Sequence, residues 1–251
     1  ENQVKELNRL SVSYNKMLER LSDAFKIQRE FTENAAHELR TPLSLMQIQL
    51  DLYNSGKHPG NDADTIQTIK MVTEQNERLS KMVKTLLDMS ELQTVGRDET
   101  IVVNALIDEV LADLEPLAQE KNIKLIGKCK DVNMVGSDIL IYRLVYNLVE
   151  NAIKYNHSGG QVIVEAYQKE KQVYLSVKDT GNGIPEELKE RVFEPFFRVD
   201  KSRSRELGGV GLGLALVNEI VRVHDGSIAI RPNPSGGTII EVQFAVNRTT
   251  A

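Results

Sequence analysis

Three side chains that can take part in group transfer lie within about one helical turn near the start of the chain. His37 is followed directly by Glu38, and Thr41 comes four residues after His37. The order resembles His-Glu-x-x-His, in which two histidines bind zinc and the glutamate acts as a base. Thr41 occupies the place of the second histidine, and the chain has one cysteine, Cys129, so no thiolate cluster can replace it. A zinc protease is therefore disfavoured.

A different chemistry is open to these residues if His37 is exposed. Apolar or small residues recur every three or four positions along this helix, and Ala35 and Leu39 belong to that seam. His37 lies two residues from each, which is about 200° around a helix, so we expect it to point away from the seam. An imidazole nitrogen with a lone pair can attack an electrophile, while the carboxylate of Glu38 orients the ring and takes its other proton. This placement disfavours a core histidine, and the hydroxyl of Thr41 can position a water.

The electrophile would have to come from a second part of the chain, where three glycine-containing segments occur. The first follows an alternating apolar run and contains Asp179, Gly181, Gly183 and Ile184. An acidic side chain at a strand end can accept a hydrogen bond from an exocyclic amine such as that of adenine, and glycines allow the backbone to come close. By itself, this segment can equally be a surface turn.

The second segment places four glycines before an apolar helix: Gly208, Gly209, Gly211 and Gly213. Backbone N–H groups at a helix N-terminus form an anion site. A Rossmann dinucleotide site would need a glycine where Leu214 stands, and the Lys-Ser/Thr pair of a P-loop is absent from the sequence. Any nucleotide site is therefore of another type. The third segment, residues 235–238, is by itself an ordinary hairpin turn.

A predicted helix over residues 138–156 adds polar groups that suit a nucleotide. Asn147 and Asn151 are one turn apart on one face, and Lys154 and Tyr155 follow near the helix end. An amide oxygen can bind Mg²⁺, and a lysine can add a positive charge near a phosphate. The alternative interpretation is a solvated polar helix face.

A segment rich in cations and phenylalanine lies between the first two glycine segments. It contains Arg198, Lys201, Arg203 and Arg205. Its composition is that of a lid, with aromatic rings that pack down and cations that reach phosphate. A simple basic loop is the alternative.

The elements that would position these residues fall into two kinds. Residues 1–93 read as helix, interrupted by a Gly- and Pro-containing turn at 54–62, so we expect two long antiparallel helices. Two helices bury too little apolar surface alone, and a homodimeric four-helix bundle would complete them. The heptad spacing stutters at His37, which is where we expect the bundle to bend.

The chain changes character after a polar break at residues 94–100, which we interpret as a hinge. A short strand, a helix capped near Asn104, a further strand, the helix with Asp138 as its N-cap, two hairpins and a helix over 211–224 follow. This order predicts an α+β sandwich with helices on one face of a mixed or antiparallel sheet.

The bulk composition narrows the functional classes. The chain has 251 residues, is 41% hydrophobic and 27% charged, and carries a formal net charge of -5. It can bury a core, and its acidic balance argues against a nucleic-acid binder. Its single cysteine fits a reducing compartment, and neither a signal peptide nor an apolar run long enough to span a membrane is expected.

Together these segments resemble a known family. They are, in chain order, a phospho-acceptor helix at 31–43, an asparagine-rich helix end at 147–155, a glycine segment at 179–185, a phenylalanine-rich segment at 193–200, and glycine segments at 208–217 and 236–238. Their order and spacing over residues 25–247 resemble the cytoplasmic core of the sensor histidine protein kinases of two-component systems. Residues 1–24 resemble the end of the signalling linker of such kinases.

The resemblance implies a domain organisation and a fold. Residues 1–24 would be the end of a coiled-coil linker, residues 25–95 an all-α hairpin that forms a dimeric four-helix bundle, and residues 96–251 an α+β ATP-binding sandwich of the gyrase, Hsp90 and histidine-kinase type. The chain would be the cytoplasmic portion of a bacterial inner- or plasma-membrane protein, attached only through an N-terminal sensor region.

The resemblance also assigns roles to individual residues. His37 would be phosphorylated, Glu38 would be its base, and Thr41 would orient a water that hydrolyses the phosphoaspartate of a partner. Asn151 would bind Mg²⁺, Asp179 the adenine amine, and Arg198 the γ-phosphate or a domain contact. The remaining residues implied to line the ATP site are Asn147, Lys154, Tyr155, Gly181, Gly183, Ile184, Gly209, Gly211, Leu212, Gly213, Leu214 and Thr238. Val210 and Asn156 depart from the usual pattern, at the lid and after the asparagine segment.

The implied function is autophosphorylation of His37 by Mg·ATP, followed by transfer to an aspartate in a response-regulator receiver domain, with phosphatase activity toward that regulator as a second expectation. Two other functions remain open from the residues. One is an ATPase of the gyrase and Hsp90 type, although those enzymes use a glutamate where Asn147 stands. The other is a dimeric scaffold with an inactive nucleotide fold.

Overall fold

The structure is a computed structural model that describes residues 2–54, 62–199 and 209–246. It divides into two compact units, residues 1–80 and residues 81–251. Helix α1 spans Asn2–Asn54 and helix α2 spans Asp62–Glu91, so the division falls inside α2. The two predicted helices are confirmed, and the turn predicted between them lies almost wholly outside the described residues.

Helix α1 continues through Pro42, whose side chain is buried. Proline removes one backbone donor from a helix interior, yet no break in α1 occurs at this position. Within the first unit, Arg78 of α2 lies 3.7 Å from the carboxylate of Glu38 on α1. None of the described helices combines the length and the apolar character that crossing a membrane requires.

The second unit contains three further described helices and seven strands. The strands are β1 Glu99–Val102, β2 Lys124–Cys129, β3 Asn133–Gly136, β4 Gln161–Lys169, β5 Gln172–Asp179, β6 Ser227–Pro232 and β7 Thr238–Ala245. The helices are α3 Val103–Glu120, α4 Asp138–Lys154 and α5 Gly213–Val223. Two single turns of 3₁₀ helix, Glu186–Leu188 and Arg191–Phe193, follow β5.

Five strands form a mixed sheet in the order β2-β4-β5-β7-β6. Strand β2 pairs with β4 in parallel, and the other neighbours are antiparallel, including the two hairpins that the alternating sequence runs predict. Strands β1 and β3 form a separate antiparallel pair. The sequence did not indicate β3, because its four residues contain too short an alternation to be distinguished from a loop.

One face of the mixed sheet is buried under the helices, as predicted. Along β4, Val162, Val164 and Ala166 are buried, whereas the residues between them are only partly buried. These valines join a continuous core with Ile107 of α3 and Leu144 of α4, together with residues of α5. A helical region followed by an α/β sandwich is therefore the observed fold.

Two predicted helix starts are wrong by one or two residues. Helix α4 begins at Asp138, so Ser137 and not Asp138 is its N-cap. Strand β3 runs directly into this helix, and the exposed N–H of Asp138 is satisfied from outside, because it donates to Glu99 Oε2 at 3.0 Å. Helix α3 begins at Val103, so Asn104 lies in its first turn and its side chain donates to Asp131.

The last helix also starts later than predicted. Helix α5 begins at Gly213, not at Gly211. The carbonyl of Gly211 accepts a hydrogen bond from Phe196 N–H at 2.8 Å, so this residue serves a contact with the phenylalanine-rich segment before the helix begins.

Candidate functional site

His37 lies on an exposed part of α1, while its seam neighbours Ala35 and Leu39 are partly buried. The hydroxyl of Thr41 donates to the main-chain oxygen of His37 at 3.2 Å, which fixes the hydroxyl beside the imidazole-bearing residue. The carboxylate of Glu38 faces Arg78 at 3.7 Å. This arrangement leaves the imidazole accessible to a reactant and keeps a carboxylate and a hydroxyl within one turn of it.

Two predicted amides lie against the start of α5. A Cβ atom added to Gly213 would be 2.9 Å from Asn147 Oδ1 and 3.5 Å from Asn151 Nδ2. The side-chain N–H of Asn147 donates to Arg143 O at 2.7 Å, so its oxygen is the atom turned toward Gly213. The structure thus brings the asparagine-rich helix and the second glycine segment together, and a side chain at position 213 would require the Asn147 amide to shift.

Lys154 is held by a carboxylate that the sequence reading missed. Its Nζ lies 2.9 Å from Glu150 Oε1, and Lys81 Nζ lies 2.5 Å from the same oxygen. Glu150 is 8% exposed. Burial alone would raise the pKa of Glu150, but the two ammonium groups outweigh it, and that pKa lies below its usual range. Burial, together with the charge of Lys81, lowers the pKa of Lys154.

The i,i+4 spacing of Glu150 and Lys154 was the sequence signal that could have indicated this ion pair. It was overlooked because glutamate on a helix usually faces solvent. Here Glu150 sits on the buried side of α4, where two cations compensate its charge.

Asp179, the last residue of β5, is partly buried, and backbone N–H groups hold one of its carboxylate oxygens. Its Oδ1 accepts hydrogen bonds from the N–H groups of Gly181 at 2.8 Å and of Thr238 at 3.2 Å. None of the hydrogen bonds described for the chain ends on Oδ2. Burial raises the pKa of Asp179, and the two backbone N–H groups offset part of that rise. The unshared Oδ2 can accept a hydrogen bond from an amine.

The end of α4 is tied to the Asp179 loop. Asn182 N–H donates to Tyr155 O at 3.3 Å, and Thr180 Oγ1 donates to Asn156 Oδ1 at 3.2 Å. The Asn156 side chain also donates to Gln161 O at 3.1 Å. Asn156, which departs from the family pattern, therefore holds the loop to the helix by side-chain hydrogen bonds.

The phenylalanine-rich segment packs on the second glycine segment. Phe196 N–H donates to Gly211 O, and the guanidinium of Arg198 donates to Val210 O at 3.4 Å. The guanidinium of Arg191 lies 4.4 Å from the ring centre of Phe197. Lys201, Arg203, Arg205 and Gly208 lie outside the described residues, so the lid and the predicted role of Arg198 at a phosphate stay predictions.

The other predicted site residues differ in their exposure, and therefore in their access to a ligand. Ile184, Gly183, Gly209 and Leu214 are partly buried, whereas Leu212 is 2% exposed and belongs to the protein interior. Thr238 is also buried, and it reaches the site through its backbone N–H. The third glycine segment thus contributes to the Asp179 site, which its sequence alone did not indicate.

Comparison with known proteins identifies two domains along the chain. Residues 27–95 match the family described as His Kinase A (phospho-acceptor) domain. Residues 136–248 match the family described as Histidine kinase-, DNA gyrase B-, and HSP90-like ATPase. The first match contains His37, and the second contains Asn147, Asn151 and Asp179.

Curated relatives match almost the whole chain. The chain is 35% identical over 247 residues to the sensor protein CutS of Streptomyces coelicolor, covering 96% of this chain and 58% of that protein. It is 32% identical over 248 residues to the signal transduction histidine-protein kinase ArlS of Staphylococcus aureus, covering 95% of this chain and 53% of that protein. The chain spans little more than half the length of these relatives.

A solved structure extends the comparison to the fold. The histidine kinase ThkA, in a crystal structure with the response regulator protein TrrA, superposes with a TM-score of 0.73 at 26% sequence identity. The match covers 89% of this chain and 63% of that chain.

Proposed function

This chain belongs to the two-component sensor histidine kinases, and we propose that it uses ATP to phosphorylate its own His37. The observation that carries the proposal is the geometry at Asp179, a partly buried carboxylate with one oxygen held by two backbone N–H groups and the other outside the described hydrogen bonds. That arrangement suits the exocyclic amine of adenine. The exposed His37 supplies the phosphoryl acceptor.

The transfer would proceed at an imidazole nitrogen of His37. Its lone pair attacks the γ-phosphorus of ATP, an N–P bond forms, and the bond to the bridging oxygen breaks with ADP as the leaving group. Glu38 takes the proton from the other ring nitrogen. Lys154 and Arg198 would balance charge that develops on the phosphoryl oxygens.

The residues at Asn147 and Asn151 fit a magnesium ion. Amide oxygens are ligands that Mg²⁺ accepts in addition to waters and phosphate oxygens, and Asn147 Oδ1 is already turned toward Gly213. Asn151 would hold the ion, which supplies charge neutralisation at the phosphates when bound. Asn147 would line the same site.

We further propose that the phosphoryl group passes from His37 to an aspartate of a response regulator, and that Thr41 supports a phosphatase activity in which water hydrolyses that phosphoaspartate. ThkA was crystallised with a response regulator, which supports a partner of that class. The chain would act as a homodimer, and it would be the cytoplasmic portion of a membrane-attached sensor. The matched region covers 58% of CutS and 53% of ArlS, which leaves length in those proteins for a sensor region.

The proposed phosphorylation can be tested with ATP labelled at the γ-position. We expect label on the wild-type chain that is labile in acid and stable in base, and no label on a His37→Gln variant. Label retained on His37→Gln, or acid-stable label, would show that another residue accepts the phosphoryl group.

A matched variant isolates the nucleotide site from the acceptor. Asn151→Ala should lose Mg·ATP binding and autophosphorylation while His37 stays intact. His37→Gln should still bind Mg·ATP with wild-type affinity, measured by calorimetry. Loss of ATP binding in both variants would mean that His37 belongs to the binding site and is not solely the acceptor.

A further inference from the structure

One side chain, that of Asn233, ties the turn between β6 and β7 to the backbone of Asp179. Asn233 Nδ2 donates to Asp179 O at 2.7 Å, across 54 positions of sequence. At the other end of the same amide, Asn233 Oδ1 accepts from Ser235 N–H at 3.1 Å. Asn233 N–H also donates to Gly237 O at 3.1 Å. The amide thus closes its own turn with its oxygen and holds Asp179 with its nitrogen.

The turn held in this way is the one that fixes the carboxylate of Asp179. Thr238 N–H donates to Asp179 Oδ1 at 3.2 Å. Gly237 has a φ of +85° and passes so close that an added Cβ would lie 2.5 Å from the same oxygen. The separation between the turn and the end of β5 therefore decides whether Thr238 can reach Oδ1. Because a carboxylate is planar, fixing Oδ1 also fixes the direction of Oδ2.

We propose that Asn233 is a positioning residue for base recognition: its bond to the Asp179 backbone sets the direction in which Oδ2 accepts a hydrogen bond. The consequence is a preference for a purine that carries an exocyclic amine. The inference rests on the proposed function, since it assumes that the nucleotide base meets Asp179. It goes beyond that function because Asn233 lies outside every segment that carries the family resemblance.

Two substitutions of Asn233 distinguish the role of its side-chain nitrogen from that of its side-chain oxygen. Asn233→Asp keeps the oxygen that accepts from Ser235 N–H and replaces the donor to Asp179 O by a second oxygen, which meets that carbonyl with like partial charge. Asn233→Ala removes both bonds. Ser235→Ala is the matched control, because it alters an exposed side chain of the same turn and keeps the Ser235 N–H.

The readout is the ratio of two dissociation constants measured by calorimetry with magnesium. One ligand is ATP, and the other is purine riboside triphosphate, which has the same charge and shape but no 6-amino group. We expect the wild type and Ser235→Ala to prefer ATP. In Asn233→Asp and Asn233→Ala, the affinity for ATP should fall about 3- to 10-fold while that for the amine-free nucleotide stays constant.

The measured affinities can contradict the proposed role of Asn233 in two ways. An equal loss for both nucleotides would show that Asn233 merely keeps the turn folded, and unchanged affinities for both would show that it does not position Asp179; either result overturns the proposal. A wild type that binds ATP no better than the amine-free nucleotide would instead contradict recognition by Asp179 itself. A thermal melt of each variant identifies any unfolding.

Discussion

At the scale of single residues, Asp179 shows a conflict between stability and binding. Its folded-state pKa is raised, chiefly by burial, so the protein binds a proton at this carboxyl more readily when folded than when unfolded. The charged form therefore costs free energy of folding at neutral pH. A ligand that donates a hydrogen bond to the carboxylate compensates that cost.

We expect Asp179→Asn to melt at the same or a higher temperature than the wild type while losing affinity for ATP. The amide oxygen can still accept from Gly181 and Thr238, but its nitrogen would face the adenine amine, donor against donor. A hydrogen bond to a charged group is worth about 1.5–3 kcal/mol, so the dissociation constant should rise about 10- to 150-fold. Calorimetry and a thermal melt together test this, and a destabilised variant with unaltered ATP affinity would refute it.

The sequence predicted the acidic residue at the Asp179 site, but it did not predict the hydrogen bonds that orient its carboxylate. An acidic residue at a strand end, followed by glycines, indicated that Asp179 binds an exocyclic amine, with a surface turn as the alternative. The donors to Oδ1 could not be foreseen, because Thr238 is 59 positions away and contributes a backbone group that every residue except proline possesses. Asn233 was missed because its side chain bonds to a backbone oxygen 54 positions away.

At the scale of elements, helix α4 carries both the residues proposed to meet the nucleotide and a partly buried ion-pair cluster. Glu150 accepts from Lys154 on α4 and from Lys81 at the start of the second unit, while Arg143 of α4 lies 2.8 Å from Asp88. All of these residues belong to the second unit. The ion pair with Glu150 holds the Nζ of Lys154 where we propose that it meets a phosphate.

We expect the free energy of unfolding contributed by Glu150 to depend on pH. Its pKa is lowered in the folded state, so this contribution is fully present above the unfolded value of about 4.3 and is lost as the pH falls through the folded value. At neutral pH, Glu150→Gln should cost about 1–3 kcal/mol, because it leaves two ammonium groups without a carboxylate. The difference from the wild type should shrink between about pH 5 and pH 3.

Urea denaturation of the wild type and of Glu150→Gln across that pH range measures the difference in their free energies of unfolding. Glu187→Gln is the matched control, since Glu187 is exposed and should give no comparable pH-dependent difference. A constant difference between wild type and Glu150→Gln down to pH 3 would show that the Glu150 charge is not what stabilises the cluster.

The helices and strands were predicted correctly where the apolar pattern repeats over many residues. The hairpins β4–β5 and β6–β7 were predicted because alternation extends over their strands, and α4 was predicted because its apolar face repeats over four turns. Strand β3 and the cap at Ser137 were not, since their partners come from distant parts of the chain. Ser137 N–H donates to His224 Nε2 at 3.1 Å, a contact that local sequence cannot indicate.

At the scale of the whole molecule, a single copy leaves the seam of α1 exposed between Tyr14 and Leu21. Tyr14, Met17 and Leu21 follow the seam spacing, and they are 57%, 56% and 51% exposed. Large apolar side chains exposed in a row indicate an association surface. The proposed homodimer would bury them between two copies of α1, as in a coiled-coil seam.

The chain with both Met17→Glu and Leu21→Glu should therefore be monomeric at concentrations where the wild type is dimeric. Four carboxylates would face one another across the two-fold axis, and like charges in a desolvated seam oppose association. Light scattering after gel filtration gives the mass of the particle directly.

Lys16→Glu is the matched control, because Lys16 is on the same helix but off the seam, and it should leave the dimer intact. A double variant that remains dimeric would place the association surface elsewhere, and a monomeric wild type would contradict the proposed homodimer. The isolated copies should still bind Mg·ATP, since Asn147, Asn151 and Asp179 all belong to the second unit of one chain.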